Sequence, residues 1–289
     1  MFENKKEIVA GDGSTNIQGK TVNITNNNNG IDYFQARQIA IDVFKANMYE
    51  LSEVAKKVAT DRAETLVEKF LQSMKGEFGH TLDKIQNPDV QYSLVNAQKQ
   101  YARSGEEHNL NILIEMLSNR FQVEEGSLKS LVLNEAIEVN SKLTHNQIRV
   151  ISMLFIVKIV QFINMEYNMD TIFEVLKDII NNTNFSSDNS FYQHLVYTGV
   201  ALRDDTTNSG HDLEFHLWKS YEAKRESPRN LENFKTEINS SESRDFIINT
   251  WNSSSIKWYT LTSVGYAIAI AFINASLSTS MKISNFISD

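Results

Sequence analysis

The fold is decided by residues 31–74, which read IDYFQARQIAIDVFKANMYELSEVAKKVATDRAETLVEKFLQSM. Apolar residues recur there mostly at steps of three and four, and charged residues fill many of the other positions, as in an amphipathic helix. At about 1.5 Å per residue, one unbroken helix of this length would reach roughly 65 Å. We therefore predict a mainly α protein whose multi-helix body begins with a long first helix. A helical hairpin with a bend near Asn47 is the alternative.

A short strand-like segment precedes this helical region. Its apolar residues Ile17, Val22 and Ile24 alternate with polar neighbours, and a period of two indicates a half-buried β-strand or hairpin. An isolated hairpin is marginally stable in water, so its apolar face needs a partner. We predict that residues 8–25 pair between subunits of a homo-oligomer, with Ile17, Val22, Ile24 and Phe34 at the contact.

The composition is that of a globular protein. Of 289 residues, 41% are hydrophobic and 22% charged. The sequence contains no cysteine, which excludes disulfides, thiolate zinc sites and a cysteine nucleophile and fits a reducing cytoplasm. The most apolar run in the last part of the chain, residues 265–277, is shorter than the roughly 20 residues that span a bilayer. We expect a cytoplasmic protein without a membrane partner.

The charge and the absent motifs narrow the function further. The sequence has 28 Lys and Arg against 36 Asp and Glu, and the net charge of −8 argues against a large nucleic-acid-binding surface. The sequence has no phosphate-binding Gly-x-x-x-x-Gly-Lys-Ser/Thr loop, no dinucleotide fingerprint and no Gly-x-Ser-x-Gly nucleophile elbow. We therefore expect no cofactor, and the balance of the sequence is against an enzyme.

Turn-forming polar stretches and changes in apolar character divide the sequence into three regions. Residues 1–30 form the β segment and a polar linker, residues 31–140 a helical domain, and residues 141–289 a mostly helical C-terminal module. The sequence Thr144-His-Asn-Gln147 predicts a capping box at a helix start. A β-rich run at 256–261 leads into Leu-Thr-x-x-Gly and an apolar helix. This order resembles the wing and closing helix of winged-helix domains.

One spacing suggests catalysis. Four residues lie between Arg103 and His108 in Arg-Ser-Gly-Glu-Glu-His. The spacing resembles the motif of the all-helical HEPN ribonucleases, in which the histidine acts as acid or base on a ribose 2′-hydroxyl and the arginine stabilises phosphate charge. Ser104 departs from the Asn, Asp or His that usually follows the arginine in that family. The alternative interpretation of this stretch is a helix-capping turn.

A second group of polar residues raises the question of a metal. His211, Asp212 and His216 form the densest group of histidines and carboxylates in the sequence. A divalent metal needs three or four converging ligands, and the spacing matches no established metal motif. A charged surface helix is the alternative, and we expect no metal.

Four segments together resemble a family of uncharacterised bacterial proteins. They are Gly11-Asp-Gly-Ser-Thr-Asn-Ile-Gln18, the helix at 36–63, the region 133–144 beginning Leu-Asn-Glu-Ala-Ile-Glu, and Leu261-Thr-Ser-Val-Gly-Tyr-Ala-Ile-Ala269. The first of them also resembles the openings of bacterial anti-phage components. The β segment, the adjoining long helix and the missing catalytic motifs predict a non-enzymatic, self-assembling protein that binds a protein partner, from a neighbouring gene or from the phage, and the resemblance implies a role in antiviral defence. A HEPN-like ribonuclease and a winged-helix transcriptional regulator are the alternatives.

Overall fold

Helices make up most of the protein. The computed structural model describes residues 31–46, 52–74, 79–160, 169–181, 183, 185–186, 188–206, 210–222, 230–238 and 241–288. The α-helices in these ranges are α1 Tyr33–Ala46, α2 Glu53–Ser73, α3 Pro88–Ser104, α4 Glu107–Gln122, α5 Leu128–Asn140, α6 His145–Lys158, α7 Met169–Ile180, α8 Asn189–Tyr197, α9 Leu213–Glu222, α10 Leu231–Glu237, α11 Glu242–Ser253 and α12 Ser263–Leu277. Three 3₁₀ segments, Gly79–Gln86, Ser255–Trp258 and Ile283–Asn285, and two short strands, β1 Ala201–Arg203 and β2 Tyr259–Leu261, complete the regular structure of these ranges. The prediction of a mainly α protein is confirmed, whereas the predicted β segment at the N-terminus lies outside the described residues.

Helices α1 and α2 pack on each other as a helical hairpin, so the hairpin alternative is confirmed and the expectation of one long first helix is wrong. Helix α2 has its own N-cap, because the Ser52 hydroxyl accepts a hydrogen bond from the Ala55 N–H at 3.4 Å. Arg37 on α1 donates to Glu64 at 3.1 Å and to Glu68 at 3.0 Å on α2. The apolar stripe continues through both helices, and period alone does not distinguish a straight helix from one that folds back.

Helix α12 lies at the centre of the core. Its sequence, SVGYAIAIAFINASL, is apolar on nearly all sides, and residues 267–274 are buried. A helix that is apolar all round must be covered by other elements. It packs against α4, α5, α6 and α7, so residues on both sides of position 140 share one core. Residues 31–289 form one compact unit, and the predicted division at 140 remains a prediction.

Helix boundaries follow the local signals in the sequence. Pro88 occupies the first turn of α3, where its missing N–H costs nothing, and Asn87 caps that turn. At the start of α6, the Thr144 hydroxyl accepts from the Gln147 N–H at 3.2 Å, and the Gln147 side chain accepts from the Thr144 N–H at 3.0 Å. The predicted capping box is therefore confirmed.

The C-terminal part contains a two-stranded antiparallel ribbon. Strands β1 and β2 pair with Leu202 opposite Thr260, although 55 residues separate β1 from β2. Only the end of the β-rich run at 256–261 is a strand, because Ser255–Trp258 forms a 3₁₀ turn. Helices α6, α7 and α8 precede β1, and α9 to α11 lie between the two strands. The winged-helix-like arrangement of this part of the chain stays a prediction.

Hydrogen bonds to the backbone fasten this ribbon to the helices around it. The Thr262 N–H donates to the Val200 carbonyl at 3.1 Å, and the Thr262 hydroxyl donates to the Gly199 carbonyl at 2.6 Å. From α6, the Lys158 ammonium donates to the carbonyls of Lys257 at 2.9 Å and Tyr259 at 2.7 Å. Burial lowers the pKa of Lys158 to about 8, and the charge of Asp204 opposes that effect. In the described ranges, every helix lacks either the length or the apolar character needed to cross a membrane.

Candidate functional site

The turn between α3 and α4 meets the turn between α5 and α6 at a polar corner. Gly105 ends α3 in the left-handed conformation, with φ of 66°, and a β-carbon there would approach the Arg62 guanidinium to 2.4 Å. Arg62 in turn donates to the carbonyl of Ala102 at 3.0 Å and to that of Arg103 at 3.3 Å. Residues 103–108 therefore form a helix-capping turn, the structural alternative that the sequence offered.

His108 emerges from this turn beside a second histidine. Its Nε2 lies 3.3 Å from Glu106 Oε2, and its ring centroid is 4.2 Å from that of His145 at an interplanar angle of 60°. His145 is the first residue of α6 and also packs against Phe272 of α12, with ring centroids 5.9 Å apart. His145 is not among the site residues predicted from the sequence. Its position directly after the cap residue Thr144 is the one local feature that distinguishes it.

The environment of His145 keeps its imidazole neutral. Burial, and then the nearby charges of His108 and Arg149, lower the pKa of His145 to about 4, while Glu106 opposes this shift. Its Nδ1 is buried and has no hydrogen-bond partner among the residues that the structure describes. The neutral imidazole of His145 is thus in ring contact with the half-exposed imidazole of His108, and imidazoles are common proton donors and acceptors in catalysis.

Arg103 makes different contacts from His108. Its Nη2 donates to the Ser141 carbonyl at 3.4 Å, on the α5 side of the corner. The side chain lines a cavity of about 270 Å³ together with residues of α3 and α5, namely Asn96, Lys99, Gln100, Glu138 and Ser141. The structure therefore places Arg103 in a cavity and His108 against His145, so the two residues of the proposed ribonuclease motif have separate surroundings.

The three residues weighed for a metal have other partners. His211 stacks on Phe215 with ring centroids 3.8 Å apart, and Asp212 Oδ1 lies 3.7 Å from Lys257 Nζ. His216 is buried edge-on against Trp251, and its ring centroid is 6.2 Å from that of His211. Within the described residues, no group of three or more His, Asp and Glu side chains is placed to hold a metal ion. His216 is buried, so it lies inside the protein rather than on the surface of a charged helix.

Because His216 is buried, we expect the free energy of unfolding to fall in acid. Burial, followed by the charges of Lys158, His211 and Lys219, lowers the pKa of His216 to about 3, whereas the ordinary value applies in the unfolded chain. The unfolded state therefore binds the proton first as pH falls below about 6.5. We expect His216 to account for about 2 kcal/mol of the unfolding free energy lost between pH 7 and pH 5. Urea unfolding of wild type and His216→Gln at both pH values measures this contribution. An equal loss in the two proteins would contradict it.

The predicted oligomerisation residues fall into two groups. Ile17, Val22 and Ile24 lie outside the described residues. Phe34 lies in the first turn of α1, is 78% exposed, and contacts the Tyr33 ring edge-on with centroids 5.7 Å apart. A phenylalanine side chain this exposed can pack against a partner protein, but single exposed apolar residues are common in proteins.

The end of α8 and the ribbon carry a further group of exposed apolar side chains. Tyr197 is 84% exposed and Leu202 is 52% exposed, while Val196 and Trp258 are partly exposed. Val196 and Tyr197 lie on α8 and Leu202 lies on β1, which packs on α8, and we call these three residues the α8–ribbon face. Helix α8 has the sequence NSFYQHLVY, which contains no lysine or arginine. A helix that enters the major groove of DNA lies close to phosphates, and basic residues are the usual partners of those phosphates.

Comparison with known proteins gives a family match. A protein-family model matches residues 30–226 and 211–287, which together make up most of the chain. Residues 1–29 lie outside that match. No curated protein and no solved structure matches the chain.

Proposed function

The chain belongs to the protein family whose model matches residues 30–226 and 211–287, and from this premise we propose that it is a self-assembling protein-interaction component without enzymatic activity. We further propose that it acts in bacterial defence against phage. The proposal combines a protein-binding surface on the helical body with assembly through the N-terminal segment.

The observation that carries the proposal is the α8–ribbon face. Tyr197 and Leu202 expose large apolar side chains on neighbouring elements, and aromatic residues with adjacent aliphatic groups are typical anchors of protein interfaces. Such residues gain free energy when a partner removes them from water. The absence of lysine and arginine from α8, together with the net charge of −8, favours a protein partner over DNA.

Self-assembly is supported by two features near the start of the chain. Residues 8–25 have the alternating pattern of a strand that needs a partner. Phe34 is the exposed aromatic residue of α1 that follows this segment most closely. The link to phage defence comes from the resemblance of residues 11–18 to the openings of anti-phage components, and it rests on that sequence pattern.

A ribonuclease is the second candidate, and the contact between His108 and His145 favours it. Two imidazoles with ring centroids 4.2 Å apart, one of them held neutral, could share acid and base roles on a ribose hydroxyl.

The predicted winged-helix order of α6 to α12 favours the third candidate, a transcriptional regulator. That candidate predicts binding to DNA at low salt that weakens steeply as salt rises.

Phage plating on cells that express variants of the protein tests the proposal. We expect protection by the wild type and its loss in a deletion of residues 2–25 and in Tyr197→Ser/Leu202→Ser. Protection should persist in Arg103→Ala/His108→Ala. The matched control is Tyr92→Ser, because Tyr92 is an exposed aromatic residue on α3, away from the α8–ribbon face. Light scattering should also show a lower mass for the deletion and for Phe34→Asp.

Four results would contradict the proposal. Loss of protection in a folded Arg103→Ala/His108→Ala protein would put the ribonuclease first. A salt-sensitive gel shift with DNA would favour the regulator. No protection by the wild type, in cells that also carry the neighbouring genes, would exclude a role in defence against the phages tested, and an unchanged mass after deletion would exclude assembly through residues 2–25.

A further inference from the structure

A polar cavity between α3 and α5 has the features of a binding site. It measures about 270 Å³, and four of its lining residues, Asn96, Lys99, Gln100 and Arg103, follow one another at helical spacing on one face of α3. Glu138 and Ser141 line it from the facing end of α5. The volume lies just below the roughly 300 Å³ at which drug-sized ligand sites begin, so a small ligand fits it.

The floor of the cavity is fixed by buried amides. Gln100 is buried, donates to the Ile137 carbonyl, and accepts from Asn140 at 3.4 Å. Asn140 also donates to Asn109 Oδ1 at 2.5 Å, which ties α3, α4 and α5 together below the cavity. Because these side chains hold one another, the residues above them sit on a rigid support.

The two cations at the mouth have few partners of their own. Lys99 and Arg103 are both exposed and stand four residues apart on the same helix, where like charges repel. Arg103 makes one long hydrogen bond, at 3.4 Å, and Lys99 makes no hydrogen bond or ion pair with any residue that the structure describes. An anion between them would relieve the repulsion and satisfy the free N–H groups.

The cavity also contains a carboxylate, which narrows the choice of ligand. Glu138 lies on the α5 side, where its one ion pair within the described residues is a weak contact of 3.8 Å with Lys142. A ligand that is wholly anionic would be repelled by Glu138, whereas one with hydroxyl groups can donate to it. The side-chain amide of Asn96 can accept or donate beside them.

We propose that this cavity binds a small phosphate monoester with neighbouring hydroxyl groups, the chemistry shared by sugar phosphates and nucleoside monophosphates. Lys99 and Arg103 bind the phosphate, and Glu138 accepts a hydrogen bond from a hydroxyl of the sugar. The site is separate from the α8–ribbon face, and the proposal does not depend on the proposed function.

Isothermal titration calorimetry with the full chain tests this proposal. The probes are ribose 5-phosphate, adenosine 5′-monophosphate and inorganic phosphate. We expect both esters to bind more tightly than inorganic phosphate, and a clear difference between the esters identifies the source. Lys99→Ala and Arg103→Ala should each weaken binding about tenfold, the effect of losing one charge-assisted hydrogen bond. Glu138→Gln should reduce the preference for the esters over inorganic phosphate.

The control is Arg203→Ala, because Arg203 is an exposed arginine that pairs with Asp205 at 3.0 Å on β1. Its substitution should leave ester binding unchanged, and thermal unfolding should show that every variant remains folded. Absence of binding by both esters at millimolar concentration would overturn the proposal. Equal binding by wild type and by a folded Lys99→Ala/Arg103→Ala protein would also overturn it.

Discussion

Replacing Arg120 with alanine should lower the free energy of unfolding by about 3 kcal/mol, because it removes a large, wholly buried side chain and the hydrogen bonds that it makes. Arg120 lies on α4 and is 0% exposed. Its Nη2 lies 2.5 Å from Asp89 Oδ2 and 2.7 Å from Glu125 Oε2, and its Nε donates to Asn134 Oδ1 at 2.7 Å. These contacts join α3 and α4 to the middle of α5 and to the turn that precedes it.

The partners of Arg120 explain why the charge is tolerated. Burial by itself lowers the pKa of Arg120, but the hydrogen bonds to Glu125 and Asp89 outweigh that effect and raise it, so the guanidinium remains charged. Asn134 also donates to Asp89 at 2.9 Å, which closes the network. Without the guanidinium, the Asn134 side chain would lose one of its partners and a cavity would remain between the helices.

Urea unfolding followed by circular dichroism measures this loss. Arg203→Ala is the matched control, because an exposed ion pair contributes between about 0 and 1 kcal/mol. If Arg120→Ala loses no more stability than Arg203→Ala, the network does not stabilise the helix junction, and the prediction is wrong.

Replacing Gly265 with alanine should also cost about 3 kcal/mol, at the upper end of the usual range for inserting an atom into a packed site. Gly265 lies in the first turn of α12, and a β-carbon there would stand 2.2 Å from the Val200 carbonyl oxygen. That oxygen belongs to the backbone and already accepts from the Thr262 N–H at 3.1 Å. Relief of the clash therefore requires α12 to move away from β1.

Gly126→Ala is the control for this substitution. Gly126 has a φ of 71°, and no atom lies within 4 Å of a β-carbon built there. The expected cost is about 1 kcal/mol, which comes from the left-handed backbone alone. Thermal or urea unfolding of the two variants compares them directly. A cost for Gly265→Ala that does not exceed the cost for Gly126→Ala would show that α12 accommodates the methyl group without strain.

The contact at Gly265 also explains a motif. In Leu261-Thr-Ser-Val-Gly265, the threonine caps α12, because its hydroxyl accepts from the Gly265 N–H at 3.2 Å, and the glycine lets the helix approach the Val200 carbonyl. By itself the sequence pattern indicates a helix start after a wing strand. The close approach of Gly265 to the Val200 carbonyl, 65 positions earlier, depends on the fold.

The sequence by itself determined the features that depend on neighbouring residues. Helix starts are marked by Pro88, Thr144 and Thr262, and a helix end is marked by Gly105. These signals are local because the hydrogen bonds that cap a helix form between residues only a few positions apart. The helical class followed in the same way from apolar periodicity.

Only the tertiary structure decided which distant residues meet. Three contacts join segments that are distant in sequence and whose local patterns carry no information about each other. They are the hairpin of α1 and α2, the pairing of β1 with β2 and the contact of His108 with His145. The cavity also depends on tertiary structure. In the sequence Lys99 is one charged residue on an exposed helix face, and only the packing of α5 places Glu138 at the same cavity. Periodicity states which face of a helix is apolar, whereas packing of all the helices around α12 determines what each face touches.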